Sequence, residues 1–178
     1  MLHGMLGVGE VTKEVKDLVQ GKAEGNPMFT EELILDLIES GHIRSEGDVC
    51  RLVEKEAETR IPANVQDIIM ARIDRLEEPM KQTLQLASVI GREFAYAILD
   101  KIGDSESPLT PALETLQKSE LIAEKNIFPE LEYMFRHALT QDVAYNSLLF
   151  ERRQKIHTLI AAAIEELKRD TLEEHLEK

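Results

Sequence analysis

The chain has 178 residues, enough for one domain or two small ones, and 43% are hydrophobic, which suffices for a packed core. Charged residues make up 31% and the formal net charge is −13, so nucleic acid and anionic membranes are poor default partners. The longest apolar run, Leu159 to Ile164, is far too short to cross a bilayer.

The start, Met1-Leu2-His3-Gly4, has neither the basic region nor the apolar stretch of a signal peptide. The single cysteine, Cys50, suits a reducing cytoplasm and the filling of a small apolar gap. The expected location is therefore cytoplasmic. Gly4 and Gly9 have the glycine spacing of a phosphate-binding loop, but Glu10 stands where its lysine belongs and would repel a phosphate. Residues 1–9 read as linker.

Val15, Leu18, Val19 and Ala23 mark a first helix, and Phe29, Leu33, Leu37 and Ile38 a second. Between them, Gly25 can take the left-handed conformation that ends a helix, and Pro27 suits the first position of the next. The backbone thus turns sharply, with a rigid pyrrolidine face at the corner. Glu31 and Glu32 follow in the first turn, where carboxylates favour the helix dipole. Residues 42–53 suggest a small hairpin bent at Glu46-Gly47-Asp48.

Val65, Ile68, Ile69, Ile73 and Leu76 recur at helical spacing over 63–76, with Pro62 as a start signal. Further helices are expected over 79–90, 94–102 and 108–119. The period then changes: Leu131, Tyr133 and Phe135 alternate with Glu132, Met134 and Arg136, as in a half-buried strand. Leu121 to Glu124 can pair with it across the loop 125–130. Three helices followed by a two-stranded wing make a winged-helix arrangement over 76–149, and helices near 138–149 and 150–168 close the chain. Ile156, Leu159, Ile160, Ala163, Ile164 and Leu167 form an apolar stripe on the last helix. Such a stripe either drives self-association or packs back onto the winged helix.

Little else carries chemistry. His3, His42, His137, His157 and His175 are scattered, with no Cys/His spacing for zinc. No Gly-x-Ser-x-Gly elbow occurs, and runs such as Glu54-Lys55-Glu56 read as solvated faces. No catalytic and no metal-binding residue is expected. Arg72 and Arg75 lie on a helix from which an arginine can reach a phosphate, although salt bridging at the surface is the commoner role for arginine.

Gly25-Asn26-Pro27-Met28-Phe29 followed by Glu31-Glu32-Leu33 resembles a segment of the STAND ATPases, signal-transduction ATPases related to AAA+ proteins and found, among other places, downstream of class III adenylate cyclase domains. Phe135-Arg136-His137-Ala138-Leu139, continuing through Ala144-Tyr145, is similar to a second block of the same bacterial group, where related nucleotide switches carry a Met-His-Asp motif. Ile61-Pro62, Ala71 to Leu76 and Ala87 to Phe94 resemble further blocks in the same order, so the resemblance covers roughly residues 6–168.

That resemblance implies a mainly α protein: a helical lid domain over 10–75, then the winged-helix domain, with 150–178 leading towards helical repeats. It implies that Gly25, Asn26 and Pro27 contact nucleotide, the proline packing on adenine. His137, between a strand and a helix N-terminus, would meet the terminal phosphate of ADP. Arg72 and Arg75 are weaker candidates for the same ligand. With no phosphate-binding loop or magnesium ligand, the chain is expected to be a non-enzymatic regulatory piece of a longer ATPase that uses ATP or ADP with magnesium. Its partners would be the nucleotide-binding core, an output domain such as a cyclase, and the downstream repeats. Two other readings stand beside it: a winged-helix DNA-binding regulator and a ligand-free helical scaffold. Against the first, the helix 108–119 offers Lys118 beside Glu114, where a DNA-contacting helix needs several cations.

Overall fold

The computed structural model describes residues 10–53, 62, 64–103, 108–128 and 130–176, with side chains as far as Arg169. The linker 1–9, the run Glu54-Lys55-Glu56 and Ile61 lie outside the described residues. Among the described residues the chain forms eight helices and two three-stranded sheets, so it is mainly helical, as its apolar periodicity implies. It divides into two compact units, Met1–Arg75 and Leu76–Lys178.

The first unit begins with β1 (Glu10–Val11), followed by α1 (Lys13–Ala23) and α2 (Pro27–Glu39). The hairpin β2 (Ile43–Glu46) and β3 (Val49–Leu52) comes next, and α3 (Val65–Arg75) completes the unit. β2 and β3 pair antiparallel from Ile43 opposite Leu52 to Glu46 opposite Val49, which is the hairpin expected over 42–53. β1 is an addition that no sequence signal announces. It lies parallel to β3, with Val11 opposite Cys50, and gives the order β1-β3-β2. The core is built from the inward faces of the helices: Val15 and Val19 from α1, Leu33, Ile34 and Leu37 from α2, and Ile68 from α3, with Cys50 and Ile43 closing it from the sheet. Helices supply one apolar face each and bury it together.

The second unit starts with α4 (Glu78–Ile90), which ends at Gly91 with φ 150° and ψ −173°, a conformation open to glycine alone. β4 (Glu93–Ala95), α5 (Tyr96–Ile102) and α6 (Leu109–Lys118) follow, then β5 (Ile122–Asn126) and β6 (Glu132–Phe135), α7 (Ala138–Asn146) and α8 (Phe150–Leu176). Phe94 and Ala95, expected to begin a helix over 94–102, instead belong to β4, which pairs with β6 and gives the sheet order β4-β6-β5. The reason is tertiary: Phe94 stacks on Tyr133 at 5.9 Å between ring centroids and meets Phe135 edge-on at 5.7 Å, contacts a helical Phe94 could not make together.

α8 lays Ile156 and Ile160 against Val89 of α4 and Leu148, flanked by Ile98, Ile102 and Ile164. Much of the apolar stripe on the last helix is therefore covered within its own unit, although Leu159 remains 51% exposed. Lys101 of α5 and Glu166 of α8 add an ion pair at 2.7 Å. Gln85 and Gln141 tie α4 to the α7 region through Ser147 Oγ and the Ser88 carbonyl, at 2.9 and 3.0 Å.

Candidate functional site

The corner between α1 and α2 is built by its own backbone. Glu24 closes α1 in the left-handed region (φ 48°), and Gly25 continues in it at φ 82°, a pair of conformations that reverses the chain within two residues. Asn26 then caps α2: its Oδ1 accepts from the Phe29 amide at 3.2 Å, and its carbonyl accepts from the Thr30 amide and hydroxyl, both at 2.9 Å. Pro27 occupies the first turn, where its missing N–H costs nothing. Phe29 turns into the core at 9% exposure, while Gly25, Asn26 and Pro27 are all exposed. An apolar residue driven inward thus holds a rigid proline ring outward.

Along α2 from this corner, a largely buried charge cluster joins the helix to α3, and it holds Arg72 and Arg75, whose commoner role in sequence terms is a surface salt bridge. Arg72 is 1% exposed and Glu32 is also 1% exposed. Arg72 Nη1 donates to Glu32, while Nε and Nη2 donate to the two carboxylate oxygens of Glu39 at 3.1 and 2.7 Å. Arg75 Nη2 reaches Asp36 at 2.5 Å and Glu39 at 3.5 Å. Burial alone would lower the Arg72 pKa, but the hydrogen bonds and charges of Glu39 and Glu32 outweigh it and hold the guanidinium above its ordinary value. Arg72 is therefore enclosed by carboxylates, whereas Arg75 keeps 37% of its side chain exposed. The signal for this cluster was present in the sequence: Glu32, Asp36 and Glu39 recur at helical spacing on one face, as do Arg72 and Arg75.

His137, in the second unit, is the residue preceding α7, with extended backbone (φ −124°, ψ 140°), and its carbonyl accepts from the Thr140 amide at 3.1 Å. It is partly buried, and its side chain does not cap the helix. Phe135, two residues earlier, is fully buried and anchors the strand that delivers it.

Among the described residues no group of three or more His, Cys, Asp or Glu is placed to hold a metal ion. None of the described helices is long and apolar enough to cross a membrane.

Residues 2–51 match a family model described as a domain of unknown function (DUF8739). That stretch includes the Gly25–Pro27 corner, β1 and β2, and β3 as far as Arg51. An uncharacterized protein of Rhizobium meliloti (strain 1021), R02095, is 25% identical over 150 residues. The match covers 83% of this chain and 14% of that protein, so the chain spans about one seventh of the length of the curated relative it matches. No solved structure matches the chain.

Proposed function

We propose that this chain is a regulatory region of a longer signal-transduction ATPase of the STAND type, and that it couples the nucleotide state to an attached output. The observation that carries the reading is the outward proline corner. Asn26 caps it, Phe29 anchors it from below, and Pro27 is left exposed. A stiff apolar ring on the surface is suited to packing on a planar base, because little entropy is lost on contact.

The second unit is read as a winged helix, with α4, α5 and α6 as its three helices and β5–β6 as its wing. The interleaved order helix, strand, helix, helix, hairpin and the sheet order β4-β6-β5 support that reading. In it, His137 is a phosphate contact at the start of α7, formed in the ADP state. The match to a short part of a much longer protein is consistent with a module that works beside other domains. The nucleotide-binding core supplies the phosphate loop and magnesium site; this chain contributes positioning and transmission and performs no catalysis itself.

Pro27→Ala in a protein that includes the nucleotide-binding core tests the reading. Loss of one apolar contact and of turn rigidity should weaken nucleotide binding by about 1–2 kcal/mol, read by calorimetric titration. A lower melting temperature with unchanged nucleotide affinity would show that Pro27 is only a turn residue.

A further inference from the structure

The face of α8 turned away from its core carries a pattern of its own. Glu151, Lys155, Thr158, Ala162, Glu165 and Arg169 are all exposed and recur at alternating spacings of four and three, so they form one stripe along the helix. The stripe is symmetric about position 160 with charges opposed: Glu151 mirrors Arg169, Lys155 mirrors Glu165, and two small residues, Thr158 and Ala162, mirror each other. A two-fold axis crossing an antiparallel helix pair imposes that same mirror between chains, because an isologous contact sets residue i against j and j against i.

We propose that this face docks on the same face of a second copy, antiparallel, with Lys155 against Glu165 of the partner subunit and Glu151 against Arg169 of the partner subunit. A parallel pair would set like charges opposite one another, so charge selects the orientation. The small residues at the centre let the axes approach to about 8 Å, and the Thr158 hydroxyl already donates to the Gln154 carbonyl at 3.1 Å, so it enters the contact satisfied. Leu159, half-exposed beside the centre, is the apolar side chain that docking covers. The stripe is about 27 Å long at the helical rise, which suits a small, reversible interface.

Glu151 and Lys155, and likewise Glu165 and Arg169, are four apart on one helix, so intrahelical pairing is the competing role. Charge reversal separates the two. Sedimentation velocity at low salt on the 178-residue chain should show a concentration-dependent dimer. K155E and E165K, each alone, should weaken it by at least about tenfold. An equimolar mixture of the two variants should regain it, because each then meets the opposite charge at both positions. Intrahelical pairing predicts no recovery on mixing. A wild-type chain that stays monomeric, a dimer indifferent to K155E, or a mixture that remains monomeric would overturn the proposal.

Discussion

Arg72 grips Glu39 with two parallel hydrogen bonds, from Nε at 3.1 Å and Nη2 at 2.7 Å, while its remaining edge is turned to the buried Glu32. Planar guanidinium and planar carboxylate match each other in this fork geometry, which a lysine cannot reproduce. The cluster fixes α3 against α2, and α2 begins at the proline corner. The position of the corner therefore depends on a charge pair about three helical turns away along α2.

Removing the cation should be costly. Arg72→Met leaves Glu32 buried without its countercharge, and breaking such a pair costs about 3–5 kcal/mol. Urea unfolding of the first unit is the measurement. The double variant Arg72→Met/Glu32→Leu should recover much of the loss, because it removes the stranded charge; equal or greater destabilisation in the double variant would contradict a desolvated pair.

Burial lifts the Cys50 thiol above its ordinary value. As pH rises, the unfolded chain releases that proton before the folded one does, so this contribution to stability is complete below the ordinary thiol pKa of about 8.5 and declines through it towards the folded value. Cys50→Val should flatten the alkaline fall of stability, measured by urea melts across a pH series. An identical slope in both proteins would remove Cys50 as a cause.

Phe135 is fully buried against Phe94, whereas Phe128 is 88% exposed. Phe135→Ala should therefore cost about 3–5 kcal/mol by leaving a cavity, and Phe128→Ala should change stability by no more than about 0.5 kcal/mol. Thermal or urea denaturation of the two variants checks the contrast; equal effects would place the second core elsewhere.

Because the His137 side chain does not cap α7, His137→Ala should leave folding largely intact. In the longer ATPase proposed above, it should loosen ADP and raise basal output, since a phosphate contact that holds the off state is lost. Wild-type ADP affinity with unchanged output would leave His137 a purely structural residue.

The sequence by itself determined most of the helices, the turn chemistry of the Gly25–Pro27 corner and the paired strands at 43–52 and 122–135, because each rests on local periodicity or on residue types with narrow backbone preferences. The resemblance of five short blocks also lay in the sequence, and it supplied the functional reading. Only the tertiary structure decided three things. β1 and β4 exist through pairing with distant strands, and two or three residues carry no period of their own. Arg72 is buried because two acids of α2, Glu32 and Glu39, face it across a helix pair, against the usual exposure of arginine. The stripe of α8 is largely covered by its own unit, since an apolar face shows in sequence that it must be buried but not against what.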